Sequence, residues 1–226
     1  MKDTVIILMA KKPQIGRTKT RLYTALSPRQ AVEFSEALLL DSIDLVKDLS
    51  WSDLALAITP LESVQYFQSI TPAGTYLMPV AGENVGQCLA QAIKALLSMG
   101  YQKAIALNSD SPSLPLEYLL QAADRLEQSD LVFGPAYDGG YYLVGMTRPI
   151  PQIFDGITWS TERVLAQTQE RAEKLGLSIG LVPPWYDIDT PKDLVRYLVE
   201  LEQTPPDRLV NSRRVLADIR LRPSWG

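Results

Sequence analysis

Asp110 stands where chemistry could begin. In KAIALNSDSPSLPL, residues 103–116, a short apolar run breaks into Asn108, Ser109, Asp110, Ser111 and Pro112. An apolar run of that length, closed by polar residues and proline, reads as a buried strand. Asp110 then lies just past the carboxyl end of a parallel strand, the edge at which open α/β sheets bind ligands. A carboxylate there could hold a metal ion; capping the next helix or making a turn is the alternative. An acidic pair, Asp187 and Asp189, occurs in PPWYDIDTPKDL, residues 183–194. Two residues apart in an extended segment, they face the same side. One of them could cap the helix that begins around Asp189-Thr190-Pro191 while the other coordinates.

The positive counterpart is AKKPQIGRTKTRL, residues 10–22. It gathers Lys11, Lys12, Arg17, Lys19 and Arg21 around Gly16, with Thr20 between the last two cations. Pro13 and Gly16 keep the segment out of a helix, and with few acids nearby the cations call for a counter-anion. A basic loop directly after a first strand suits a phosphate chain, held by backbone amides and cations. Neither GxxxxGK[ST] nor GxGxxG is present. In residues 80–100, Gly82 and Gly86 flank an acidic, amide-rich turn before an amphipathic helix. There the backbone could approach a flat ligand such as a nucleobase. Asp138-Gly139-Gly140 is an ordinary hairpin signal, or it places Asp138 and the glycine amides beside a second substrate.

Composition narrows the chemistry. The chain has 226 residues, 46% of them apolar, and no histidine. Ser-His-Asp or Cys-His nucleophilic catalysis and histidine-ligated zinc are therefore out of reach. What remains is carboxylates, Lys, Arg, hydroxyls and amides, a set that suits Mg²⁺ or Mn²⁺. The net charge of −4 argues against non-specific binding to nucleic acid or a membrane surface. The one cysteine, Cys88, allows no intrachain disulfide and points to a reducing, cytoplasmic setting. No apolar run approaches a membrane span, and VIILMA near the N-terminus is too short for a secretory core.

These residues need strands and helices to position them. Apolar runs at 4–9, 54–58, 76–78, 104–107, 131–134, 141–144 and 179–182 read as strands. Helical spacing follows Ser27-Pro28 to about Leu49 and recurs at 63–70, after Gly86, at 116–126, at 162–175 and after Pro191. Ser160 or Thr161 is the expected N-cap of the helix at 162–175. Such alternation predicts an α/β fold: a three-layer α/β/α, mostly parallel twisted sheet, Rossmann-like. A single domain over residues 1–203 is expected. Residues 204–226 follow as a basic, polar tail or terminal helix, with packing across a homodimer as one use for it.

Taken together, KKPQIGRTKTRL, NSDSPSLP, GPAYDGGYYLVGM, TWSTERVL and YDIDTPKDL resemble the nucleotide-diphospho-sugar transferases of the GT-A fold. Their order is most similar to the GT-A-type transferases encoded near radical-SAM and selenoprotein genes. More distant similarity is to cofactor guanylyltransferases and sugar cytidylyltransferases. The resemblance implies that Asp110 and Asp189 bind a divalent cation, Mg²⁺ or Mn²⁺. It implies a phosphate-binding loop carrying Lys11, Gly16, Lys19 and Arg21, and a place near the base for Gly82. The implied partners are a nucleotide, either an NTP or a nucleotide sugar, and a small-molecule acceptor. In the NTP version Lys19 and Arg21 stabilise leaving pyrophosphate; in the glycosyl version Asp138 becomes the base for a hydroxyl acceptor. A non-catalytic nucleotide-binding module is the rival reading, and it predicts binding that survives loss of Asp110.

Overall fold

The computed structural model describes residues 2–217 and 219. Seven strands form one sheet: β1 (Thr4–Lys11), β2 (Ser52–Thr59), β3 (Tyr76–Pro79), β4 (Lys103–Asn108), β5 (Leu131–Pro135), β6 (Tyr141–Met146) and β7 (Ile179–Leu181). Their order is β3-β2-β1-β4-β6-β5-β7. All neighbours pair in parallel except β6, which is antiparallel to both β4 and β5. β1 and β4 are parallel neighbours, with Met9 opposite Asn108. From β1 the chain runs outward to β2 and β3, then returns to lay β4 on the other side of β1. This is the switch in strand order at whose carboxyl ends α/β sheets bind ligands.

Among the described residues, seven α-helices cover the sheet: α1 (Pro28–Val46), α2 (Val64–Ile70), α3 (Val85–Ser98), α4 (Leu116–Arg125), α5 (Val164–Lys174), α6 (Pro191–Gln203) and α7 (Val210–Ala217). The central strands are buried on both faces, so their apolar residues alternate between two cores. Val5, Ile7, Ala104 and Ala106 pack with Leu89, Ile93 and Leu96 of α3. Ile6, Leu8, Ile105 and Leu107 pack with Ile43 and Val46 of α1 and Leu119 of α4. A third cluster joins Phe34 and Leu38 of α1 to Leu194 and Tyr197 of α6 and Leu216 of α7.

Local sequence explains the helix starts. Ser27 caps α1 with its side chain, Gln30 returns the bond, and Pro28 takes the first helical position. Two expectations need correcting. α5 begins at Val164, and neither Ser160 nor Thr161 is its N-cap; Arg163 holds that position without a side-chain bond. Thr161 instead donates to the Thr158 carbonyl in the preceding turn, and Ser160 is left-handed at φ +63°. At α6, Thr190 is the cap, in a reciprocal arrangement with Asp193. Neither Asp187 nor Asp189 is spent on the helix start. In the segment read as tail, α7 packs on α1; the expected terminal helix beyond residue 217 lies outside the described residues, apart from Ile219. Among the described residues, no helix is long and apolar enough to cross a membrane.

Candidate functional site

Three segments meet at the carboxyl edge of β1 and β4. The loop after β1 supplies Lys19, the turn after β4 supplies Asp110, and the strand-like run before α6 supplies Asp187 and Asp189. One backbone bond and one side-chain hydroxyl lock the last two together. The Ile188 amide donates to the Asp110 carbonyl at 3.1 Å. The Ser111 hydroxyl is shared between the Tyr186 carbonyl and Asp187 Oδ1, each at 2.9 Å.

Lys19 lies at the centre. Its Nζ is 2.9 Å from Asp110 Oδ2 and 2.7 Å from Asp189 Oδ1. Only 5% of the Lys19 side chain is exposed, against 35% and 40% for the two carboxylates. Burial alone would lower its proton affinity, but the charges and hydrogen bonds of Asp110 and Asp189 outweigh that and raise it. The ammonium is therefore charged. Its backbone is left-handed, φ 48° and ψ 41°, a conformation that costs a non-glycine residue on the order of 1 kcal/mol. That turn lets the loop double back and deliver the side chain inward.

Asp187 is the third carboxylate. Asn108 Nδ2 donates to its Oδ1 at 2.6 Å. Burial, and then the charge of Asp110, push its carboxyl up to about 7, against the pull of the Ser111 and Asn108 bonds. Asn108 read in the sequence only as the first polar residue after a strand; its role as the partner of Asp187 is visible only once 108 and 187 are adjacent. Among the described residues, no group of three or more His, Cys, Asp or Glu is arranged to hold a metal ion. A two-carboxylate set does fit a hard cation: Asp110 and Asp189 already close around one positive charge, the Lys19 ammonium.

Two clefts open on this edge of the sheet. The first, about 410 Å³, is lined by Arg21, Asn108, Asp138, Trp159, Asp187 and Asp189, with the buried Leu89 adding an apolar surface. The second, about 460 Å³, is lined by Lys11, Gln14, Arg17, Glu62, Gly82 and Asn84. The basic loop thus divides its cations: Lys11 and Arg17 face one cleft, and Arg21 faces the other, which Asp189 also lines. Lys12 turns elsewhere, with its ammonium 5.2 Å over the Tyr66 ring. Gly16 makes a left-handed turn (φ 81°) whose amide donates to Tyr23 Oη at 3.0 Å. Thr20 is exposed where a single helical turn begins. Asp138 is exposed at the hairpin turn, and its Oδ1 accepts from the Gly140 amide at 2.9 Å.

Trp159, a wall of the first cleft, went unassigned in the sequence. Its signal is Gly86 in the first turn of α3. A Cβ added there would lie 2.2 Å from Trp159 Cζ2. The close approach expected at this glycine is made by an indole of the same chain.

Comparison with known proteins places this geometry in context. The family model described as "Uncharacterized protein conserved in bacteria (DUF2064)" matches residues 42–161, a span that contains Asp110 and Asp138 and stops short of Asp189. No curated protein sequence matches the chain. Among solved structures, a candidate nucleotide-diphospho-sugar transferase from Desulfovibrio desulfuricans G20 is similar at TM-score 0.88 and 26% identity, covering 96% of this chain and 95% of that one. CMP:2-keto-3-deoxy-manno-octonic acid synthetase, complexed with CTP, is similar at TM-score 0.52 and 14% identity, covering 89% and 99%. Rv0371c of Mycobacterium tuberculosis H37Rv, complexed with manganese, is similar at TM-score 0.52 and 12% identity, covering 88% and 99%. The chain has the fold of the nucleotide-diphospho-sugar transferases.

Proposed function

The chain belongs to the DUF2064 family, and we propose that it is a transferase that moves a nucleotidyl or glycosyl group between a nucleotide substrate and a small-molecule acceptor. In this reading a divalent cation, Mg²⁺ or Mn²⁺, is held by Asp110 and Asp189. One observation carries it: two carboxylates from distant parts of the chain converge on a single positive charge at the ligand edge of the sheet. The names of the similar structures support the substrate class, one as a nucleotide-diphospho-sugar transferase and one solved with CTP. The mycobacterial structure was solved with manganese.

Held there, the cation would neutralise phosphate oxygens and offset the charge that builds on the leaving group. The protein's own groups do the rest. Lys11 and Arg17 set a positive field in the second cleft, which we assign to the nucleotide; the close approach at Gly82 is taken by Gln87, whose Cβ would lie 2.7 Å from an added methyl. The first cleft takes the acceptor. There Arg21 binds an anionic group, and Trp159 and Leu89 supply an apolar wall. A phosphate or carboxylate acceptor is already nucleophilic. A hydroxyl acceptor needs its proton removed, and Asp138 lies on the wall of the same cleft to take it. The single thiol, buried in α3, suits a cytoplasmic setting.

Two measurements test the proposal. A thermal-shift panel of GTP, CTP, UTP, ATP and their sugars, with and without Mn²⁺, should show at least one ligand raising Tm in a metal-dependent way. With that ligand and candidate acceptors, pyrophosphate release marks nucleotidyl transfer, and nucleoside diphosphate release marks glycosyl transfer. A shift indifferent to both metal and loss of Asp110 would instead identify a non-catalytic nucleotide-binding module.

A further inference from the structure

A lysine that serves only to meet phosphate would be expected at a rim, free to reach outward. Lys19 is turned inward by a left-handed backbone and buried to 5% of its side chain, with Nζ at hydrogen-bond distance from both carboxylates. The two carboxylates are each more than a third exposed, so the pair is covered from inside by the ammonium and open to solvent from outside. Such a triad carries a net charge of about −1. A divalent ion placed between the same two oxygens would stand against the ammonium in a partly desolvated site, where like charges repel strongly. Without Lys19, two acidic groups would face each other with Asp187 close behind.

From this geometry we propose that Lys19 and a divalent cation are alternative occupants of the Asp110–Asp189 pair. Lys19 holds the pair in the nucleotide-free protein, and the metal enters by displacing it. The proposal rests on the reading of Asp110 and Asp189 as metal ligands. Lys19 then has two positions: on the carboxylates before metal arrives, and released toward the phosphates afterwards. The free protein holds metal weakly because Lys19 must leave, and metal delivered together with a phosphate chain binds better because the freed ammonium finds a new counter-charge there.

Mn²⁺ binding to the full chain, read by the electron paramagnetic resonance of free Mn²⁺, tests this without any turnover. Lys19→Met keeps the length of the side chain and removes its charge. It should tighten Mn²⁺ binding at least tenfold in the absence of nucleotide, and adding Asp189→Asn should abolish the gain. If wild type and Lys19→Met bind Mn²⁺ equally, or the variant binds more weakly, Lys19 is not a competitor and the inference falls while the metal reading stands. If neither binds Mn²⁺, with or without nucleotide, both fall. A second measurement needs no variant: reductive methylation of wild-type Lys19, followed by mass spectrometry. It should be slow in the metal-free protein and faster at saturating Mg²⁺, and no change in rate would also overturn the inference.

Discussion

The Ile188 amide donates to the Asp110 carbonyl at 3.1 Å, and this backbone bond holds two acidic segments in register at the edge of the sheet. The side chain of Asp110 is thereby left free for Lys19. Asp110→Asn keeps the carbonyl that Ile188 uses, and Asp189 still neutralises the ammonium. We therefore expect an unchanged far-UV circular dichroism spectrum, a Tm close to wild type, and turnover lowered by at least about 100-fold. Turnover within about threefold of wild type would remove Asp110 from the reacting centre.

Asp41 of α1 is 2% exposed and carries the docking of α7. It accepts from the amides of Asn211 and Ser212, each at 2.9 Å, and from the Asn211 side chain and the Ser212 hydroxyl. These amides are unpaired donors in the first turn of α7, the position a carboxylate serves best. Asp41→Ala leaves them buried without a partner, at a cost of about 3 kcal/mol. Urea unfolding should show a lower midpoint, and nucleotide affinity should be unchanged if the clefts are independent of this contact.

Gly86→Ala places a methyl group 2.2 Å from Trp159 Cζ2. The indole must move, because the glycine lies in α3 and its backbone is held by the helix. Overpacking of this kind costs about 1–3 kcal/mol. A changed tryptophan emission spectrum and a raised KM for the acceptor, with the nucleotide KM unaltered, are the expected results. An unaltered acceptor KM would take Trp159 out of the acceptor cleft.

Asp53 gives the protein an acid-sensitive tie far from the clefts. Its carboxylate accepts from the Lys2 amide and from Tyr101 Oη, each at 3.0 Å. Burial raises its proton affinity, but these bonds and nearby positive charge prevail and lower it. A depressed folded-state pKa contributes stability above the unfolded value of about 4, and that stability is lost as pH falls through the folded value. Tyr101, pushed up to about 12, works at the other end: its share is complete below pH 10 and is lost above it. Asp53→Asn should be less stable than wild type at pH 7 and approach it below pH 3, as followed by urea titration at each pH.

Much of this architecture is legible in the sequence because strand runs and helical spacing are local patterns. The end of β4 at Asn108, with Asp110 beyond it, follows from a short apolar run and a proline. The basic loop after β1 follows from charge alone. What escapes is set by single dihedrals or by contacts across the chain. Lys19 adopts φ 48° with no glycine or asparagine to announce it, so its charge is visible in the sequence but its inward direction is not. Asp187 and Asp189 are seen to share a face, but choosing Thr190 over Asp189 as the cap of α6 depends on Asp193 turning back toward it. The 134–146 segment reads as a hairpin, yet only the sheet shows β6 wedged between β4 and β5.

That wedge ties two parts of the rim together. Because β6 runs against its neighbours, the turn joining β5 to β6 surfaces on the same rim as the ends of β1 and β4, without a helical crossover in between. The Tyr137 amide of that turn donates to the Trp185 carbonyl at 3.2 Å, so a change of length in residues 136–140 is passed directly to the segment that carries Asp187 and Asp189. Loop exchange at this rim would therefore move the two acidic side chains along with the wall of the first cleft.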